Sequence, residues 1–345
     1  MSSRRLGHLL ADRTVDEAWA LVSAGAPCPP PVPREHAARW AADLARADAD
    51  AVATRLVELG CRVTSWHDAS HPRRLSEDID PAPVLFRRGR FPDPAAPTVG
   101  IVGTRRCSGP GKQIAFELGA ELSQAGVSVV SGLALGVDGA AHRGALAANG
   151  ARPIAVVGSG IDVVYPRRHL ELWERVADKG CLCTEAPLGA EPEPWRFPAR
   201  NRLIAALSDL IIVVESRSAG GSLLTVDEAV RRGIDVMAVP GSVKNGAADG
   251  TNQLLVDGCA PVRDADDVLM ALGLATVDST ARRSGEKTAP SGDAGAVFAV
   301  IDDGPTSVDE IVQFTGLELG AVYLVLERLM SSGHIMADGV RVRRA

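Results

Sequence analysis

Short, nearly continuous apolar runs alternate with amphipathic segments through the middle of the chain. "TVGIVG" leads into "KQIAFELGAELSQAG", "VSVVSG" into "VDGAAHRGALAANG", and "RPIAVVGSG" into "HLELWERVADKG". The rhythm continues through "CLCTEA", "NRLIAALS", "DLIIVVES", "TVDEAVRRG" and "IDVMAVPG". Runs without polar alternation belong to strands buried on both faces, and the helical connections between them make those strands parallel. Residues 98–272 therefore predict a doubly wound, Rossmann-like parallel sheet in an α/β chain, with each helix closing at a glycine suited to a left-handed cap.

The pattern changes on both sides of this block. Residues 1–65 carry helical periodicity, as in "EHAARWAADLARADADAVATRLVELG", where Gly60 can end the helix, and the Pro-rich "APCPPPVP" divides them. They predict a small helical domain. Residues 66–97 mix Pro, Asp and Arg and read as an irregular connection with one short strand around Val84 to Phe86. Residues 273–295 are poor in apolar positions and read as a flexible linker. Residues 296–345 offer three helices, the second capped by Thr306 or Ser307 and the third carrying Leu324, Leu326 and Leu329, then a hairpin turning at Asp338 and Gly339. That order suits a winged-helix-like domain and equally a small protein-interaction domain.

Composition narrows the class. The 345 residues carry 46% hydrophobic and 23% charged positions, ordinary for a folded chain, and the 35 glycines and 22 prolines imply many turns. A formal charge of -6 gives no support to generic nucleic-acid binding and leaves room only for a local basic patch. The six cysteines are scattered without a zinc-like spacing, and Cys181 and Cys183 would share one strand face as core thiols. The start, "MSSRRLGHLLADRTVDE", has no leader-like apolar stretch, and no segment reaches the roughly 18 apolar residues of a membrane helix, so a cytoplasmic protein is expected.

The candidate chemistry gathers at the strand ends. "IVGTRRCSGPGK" is not a phosphate loop of the Walker type, because Arg106 stands where its first glycine is required, and Gly103 does not open a dinucleotide fingerprint. No cofactor follows from it. Gly103 lets the chain turn, Thr104 and the next helix N-terminus present amides, and Arg105 supplies a fork of donors to an anion. Gly158, Ser159 and Gly160 with Arg167 and Arg168, and Gly220, Gly221 and Ser222 with Thr225, end further runs and would converge on the same sheet edge. Before one helix, Arg200 and Asn201 would face a ligand, whereas Arg196 and Arg202 serve either phosphates or carboxylates such as Glu185 and Glu215. Asp138 and His142 share a helical face as a structural pair, since no nucleophile accompanies them. Glu228 is the residue on which a rival reading, a nucleotide-processing enzyme, would rest.

Taken together, "GTRRCSGPGKQIAFELGAELSQAGVSVVSGLALGVDGAAHRGAL", "IAVVGSGIDVVYPRRH", "TEAPLG", "FPARNRLIAALSDLIIVVES" and "GGSLLTVDEAVRRG" followed by "VMAVPG" and "GTNQLLVDGCA" resemble the bacterial DNA-processing protein A family, DprA or Smf. The resemblance spans roughly residues 70–264. It implies a cytoplasmic, non-catalytic protein that binds single-stranded DNA and assists RecA loading during natural transformation. It further implies a homodimer, with single-strand-binding protein as an additional partner, no cofactor and no membrane. The turn of Gly103, Thr104 and Arg105 would belong to the DNA pocket, and Arg167 or Arg168, after Tyr165 and Pro166, would add positive charge. His169 stands where the family often has Asn. Tyr165, Trp195 and Phe197 would either stack on bases or brace their loops.

Overall fold

The computed structural model describes residues 3–26, 28, 33–274, 292–301, 306–331, 335–338 and 341–344. It divides into two units, residues 1–274 and 275–345.

The first unit is built on a nine-stranded sheet. Its strands are β1 (Cys61–Ser65), β2 (Val84–Gly89), β3 (Thr98–Val102), β4 (Ser128–Ser131), β5 (Ile154–Val156), β6 (Cys181–Thr184), β7 (Leu210–Val213), β8 (Asp235–Ala238) and β9 (Ala260–Pro261). They lie in the order β1-β2-β6-β5-β4-β3-β7-β8-β9. From β6 to β9 every pairing is parallel. The order runs outward from β3 in one direction and restarts at β7 in the other, so the strand order reverses between β3 and β7, and a crevice opens at the carboxyl ends there.

The apolar runs bury as their pattern demands. Val99, Ile101, Val129, Leu210 and Ile212 pack with Leu118, Leu122 and Ala141 on one face of the sheet. Val102, Val130, Ile154, Val156, Ile211 and Val213 pack with Leu203, Ile204 and Val226 on the other. Alternate strand residues thus feed opposite cores, the period-two consequence of a sheet covered on both sides. Cys181 and Cys183 are buried free thiols on β6.

Several expectations shift. The helical start forms four helices, Ser3–Leu10, Val15–Ser23, Arg34–Leu44 and Ala49–Glu58, because Asp48 accepts the Ala51 amide and starts a new helix inside the long periodic stretch. Gly60 ends the last with φ +60°. Residues 66–97 are less irregular than their composition implies. β2 pairs antiparallel with β1 on one side and with β6 on the other, so both strands continue the main sheet beyond the predicted start at residue 98. Not every helix closes on a left-handed glycine: Gly126 does, at φ +86°, whereas Asn149 takes that role at φ +50° after helix Val137–Ala147, and Gly180 lies at φ -136°.

In the second unit, helices Asp293–Val300, Val308–Thr315 and Leu319–Ser331 enclose Val297, Ile311, Val322, Leu326 and Leu329. A three-stranded sheet of Thr306–Ser307, Ile335–Asp338 and Arg341–Arg344 completes it. Ser307, rather than Thr306, is the cap, exchanging hydrogen bonds with Glu310 in a capping box. Leu324 is exposed. The first helix begins inside the stretch expected as linker, whose residues 275–291 lie outside the described residues, as does Gly339 of the expected turn.

Candidate functional site

The turn after β3 is held from three sides. Gly103 lies so close to Val137 and to the Glu215 carbonyl that a Cβ would collide with both. The Thr104 amide donates to the Glu215 carbonyl at 2.8 Å, and the Thr104 carbonyl accepts from the Val137 amide at 3.4 Å. Gly136, at φ +80°, presses on the Thr104 carbonyl from the start of helix Val137–Ala147. This rigid base projects Arg105 and Arg106 into solvent.

The N-terminus of helix Gly109–Gln124 is not available to an outside anion, contrary to the sequence reading. Ser108 caps it, accepting from the Gly111 amide at 3.0 Å. The Glu215 carboxylate then accepts from the Ser108 amide at 2.8 Å and the Ser108 hydroxyl at 2.5 Å. An internal carboxylate therefore fills the place where the helix dipole favours negative charge. Anion contact from this stretch falls to the arginine side chains.

These side chains line a cleft of about 620 Å³ at the strand-order reversal. Gly103, Thr104, Arg105, Arg200, Asn201, Gly220, Gly221 and Ser222 all line it, although Arg200 and Asn201 lie within helix Arg196–Ala206 and not before a helix as the sequence reading had them. The Arg105 guanidinium lies 4.7 Å from the centre of the Phe197 ring, a cation-π distance. Tyr165 packs against Phe197 with its ring tilted by 39°, 5.3 Å between ring centres. Arg106 and Arg217 line the same cleft, both exposed, and neither forms an ion pair among the described residues. The sequence reading did not single out either residue. Arg217 follows β7 much as Arg105 follows its neighbour β3, and that shared position was the available signal.

Arg200 belongs to the floor. It is buried, and its Nη1 donates to the Gly132 carbonyl at 2.8 Å and to the Val156 carbonyl, joining the ends of β4 and β5. Burial pushes its pKa down to about 10 while the nearby Asp138 charge opposes that shift. Asp138, also buried, accepts from the Gly132 amide at 3.1 Å, and burial raises its pKa. The expected Asp138 and His142 pair thus gives way to a carboxylate that ties the helix to the backbone. Asn201 donates to the Gly221 carbonyl at 3.4 Å, and the Ser222 hydroxyl donates to the Ser216 hydroxyl at 2.9 Å, so both shape the rim.

The Gly-Ser-Gly turn after β5 is mostly self-contained. Gly158 and Ser159 line a small recess beside Arg105, Tyr165 and Phe197, but the Ser159 hydroxyl donates to the Val163 carbonyl at 2.7 Å. The Gly160 amide donates to the Ala190 carbonyl at 2.8 Å, beneath the surface. Arg167 and Arg168 are exposed in the turn that follows, with Arg167 in a separate depression on Tyr165 and Leu170. His169 is buried as a brace, its Nδ1 2.9 Å from the Leu133 carbonyl, so the position contacts protein.

Two further groups resolve. Arg202 is buried, its Nη2 donating to both Glu185 carboxylate oxygens at 2.6 Å, the carboxylate reading, while Arg196 pairs with Glu193 at 3.5 Å and stacks 4.6 Å from Trp195. Glu215 pairs with neither arginine. Glu228, the residue required by the enzyme reading, is absent from the lining of the main cleft and is paired with Arg231 at 2.9 Å and with Arg232, which in turn holds Asp78. Among the described residues no group of three or more His, Cys, Asp or Glu is placed to hold a metal ion, and no helix is long and apolar enough to cross a membrane.

Residues 62–273 match the family model described as DNA recombination-mediator protein A. Protein Smf of Synechocystis sp. is 32% identical over 80% of this chain and 78% of its own length. The DNA processing protein DprA of Streptococcus pneumoniae is 39% identical over 59% of this chain and 71% of its own. The X-ray structure of DprA from Streptococcus pneumoniae superposes with a TM-score of 0.64 at 30% identity, covering 78% of this chain and 93% of that one. A structure of DNA processing protein A from Helicobacter pylori, which concerns that protein's single-stranded DNA binding mode, superposes with a TM-score of 0.54 at 28% identity. It covers 61% of this chain and 95% of that one.

Proposed function

This chain belongs to the DNA recombination-mediator protein A family, and from that premise we propose that the cleft between the ends of β3 and β7 binds single-stranded DNA without sequence preference. One observation carries the reading: Arg105 over the Phe197 ring, with Tyr165 tilted against that ring, sits beside the exposed charges of Arg106 and Arg217. Guanidinium groups meet phosphates, and aromatic faces accept any unstacked base, which is how sequence-tolerant single-strand sites are made. A duplex offers its phosphates but not free base faces, so it gains only part of this contact. Arg200 and Asp138 act as positioning residues that hold the strand ends beneath the bound strand.

Within this reading the protein is a non-catalytic mediator that acts as a homodimer in the cytoplasm and assists RecA onto DNA covered by single-strand-binding protein. The terminal unit, with three helices and a three-stranded sheet, is winged-helix-like. Its last helix carries Arg328 as a basic residue in a largely apolar sequence, which disfavours it as a major-groove reader.

The direct test measures binding of labelled single-stranded and duplex DNA across a salt series for wild type and Arg105→Ala. Wild type should prefer the single strand and weaken as salt rises, and the variant should lose about tenfold in single-strand affinity, about 1.4 kcal/mol. Equal and salt-independent affinities for both DNA forms would overturn the proposal. RecA filament growth on DNA precoated with single-strand-binding protein tests the mediator role separately: no acceleration by this protein would remove that role and leave DNA binding intact.

A further inference from the structure

Four arginines converge at the opposite end of the sheet. Arg62, Arg87, Arg90 and Arg152 line a cavity of about 530 Å³ together with Phe91 and Asp178. Arg152 and Asp178 stand just before β5 and β6, and Gly89, at the end of β2, pairs with Cys181 at the start of β6. The cavity therefore opens at the amino ends of the parallel strands, whereas the cleft opens at their carboxyl ends. At about 3.3 Å per residue, even the short strand β6 separates the two by roughly 13 Å.

The arrangement is unfavourable without a ligand. Arg62 and Arg87 lie directly opposite in the antiparallel register of β1 and β2, where like charges on one face repel. Their neighbour Arg88 illustrates the usual remedy, a bidentate pair with Glu174 at 3.0 and 2.7 Å. None of the four cavity arginines forms an ion pair among the described residues, and Asp178 is the cavity's one acidic lining residue. Helix Leu170–Lys179 ends nearby, and its carboxyl terminus offsets only about half a charge. Arg87 is partly committed, donating to the Gly89 carbonyl at 3.1 Å and lying 6.0 Å from the Phe91 ring, but its buried Nε has no hydrogen-bond partner. In a chain of net charge -6, this concentration of unpaired guanidinium groups fits a ligand carrying several oxyanions.

We propose that this arginine cavity is a second phosphate site, which takes the backbone of the same single strand beyond the segment seated in the cleft. The proposal rests on the single-strand reading of the cleft. Arg62, Arg90 and Arg152 are exposed, so their charges reach a passing strand, while Arg87 forms the half-buried base. Contacts of this kind are to phosphate alone and add affinity and salt dependence without sequence preference.

The test uses the full chain, its Arg62→Ala/Arg90→Ala/Arg152→Ala variant and Arg105→Ala, with an oligonucleotide of about 6 nucleotides, within the range of single-strand site sizes, and one of about 25, longer than a single site. The triple variant should bind the short strand as wild type does. It should bind the long strand on the order of tenfold more weakly, with a salt slope reduced by about 2, near 0.7 per lost phosphate contact. An unchanged affinity and slope for the long strand would overturn the second site and leave the cleft untouched. Loss of long-strand binding in the triple variant, with Arg105→Ala unaffected on both strands, would remove the cleft reading and, with it, a second site that extends the cleft's strand. Wild type that binds neither strand would overturn both. Inorganic pyrophosphate provides the remaining arm: if it raises the melting temperature of wild type but not of the triple variant, while long-strand binding is equal in both, the site takes small phosphates and the strand proposal falls.

Discussion

His142 lies wholly inside the first unit, on helix Val137–Ala147, and burial pushes its pKa down to about 3. In the unfolded chain the same imidazole titrates near 6.5. Between those values the unfolded state binds a proton that the folded state refuses, so stability falls as pH drops below about 6.5. The expected loss from pH 7 to pH 5 is about 2 kcal/mol from this residue. Buried His71 and His169, also depressed by burial, add in the same direction, whereas Asp138, raised by burial, works against it. Urea unfolding of wild type and His142→Leu at both pH values isolates the residue, and the variant should lose about 2 kcal/mol less on acidification. An identical pH response in the two proteins would show that the imidazole is not held neutral. Arg200 shows why such residues are hard to read in advance. Nothing in "RFPARNRLIAALS" separates the buried Arg200 and Arg202 from the half-buried Arg196 one turn earlier. That distinction comes from which strand ends the helix crosses.

At the scale of elements, the candidate site depends on one packing event: helix Val137–Ala147 begins against the turn that follows β3. Gly136→Ala would place a Cβ on the Thr104 carbonyl in a left-handed backbone, costing about 2–4 kcal/mol through strain and overpacking. Gly233 has a similar φ of +65° with open space around it, so Gly233→Ala should cost only about 1 kcal/mol. Chemical denaturation gives both values, and single-strand affinity should fall for the first variant alone because only it displaces Arg105. Equal costs would mean that the turn yields easily and does not position the arginine. The elements themselves were legible from their apolar runs, since strands buried on both faces leave no polar alternation and glycines mark their ends. Of the two antiparallel strands, β2 was legible as the short run around Val84 to Phe86, whereas β1 was not, because it follows directly on a helix-like stretch. The pairing of β2 with β6 is a long-range contact that no local pattern encodes.

For the molecule as a whole, the negative net charge and the local basic groups are reconciled by position. Several unpaired arginines line the two ends of one sheet in the first unit, while the second unit closes its own core around Val297, Ile311, Val322 and Leu326. Among the described residues, each of these core clusters is drawn from its own unit. A chain ending at Leu274 should therefore fold with an unfolding midpoint close to that of the first unit in the full protein. It should also keep the preference for single strands and the full salt slope, since every arginine of both proposed sites lies before residue 274. The salt slope is the sharper readout, because it counts phosphate contacts where affinity alone mixes them with stacking. A truncated chain that folds with the same midpoint but loses most of its slope would move the phosphate contacts into the terminal unit. Helix Leu319–Ser331 carries one arginine, so a slope lost on truncation would be assigned to strand Arg341–Arg344, which carries three, whereas the cleft alone brings three exposed guanidinium groups to a single surface.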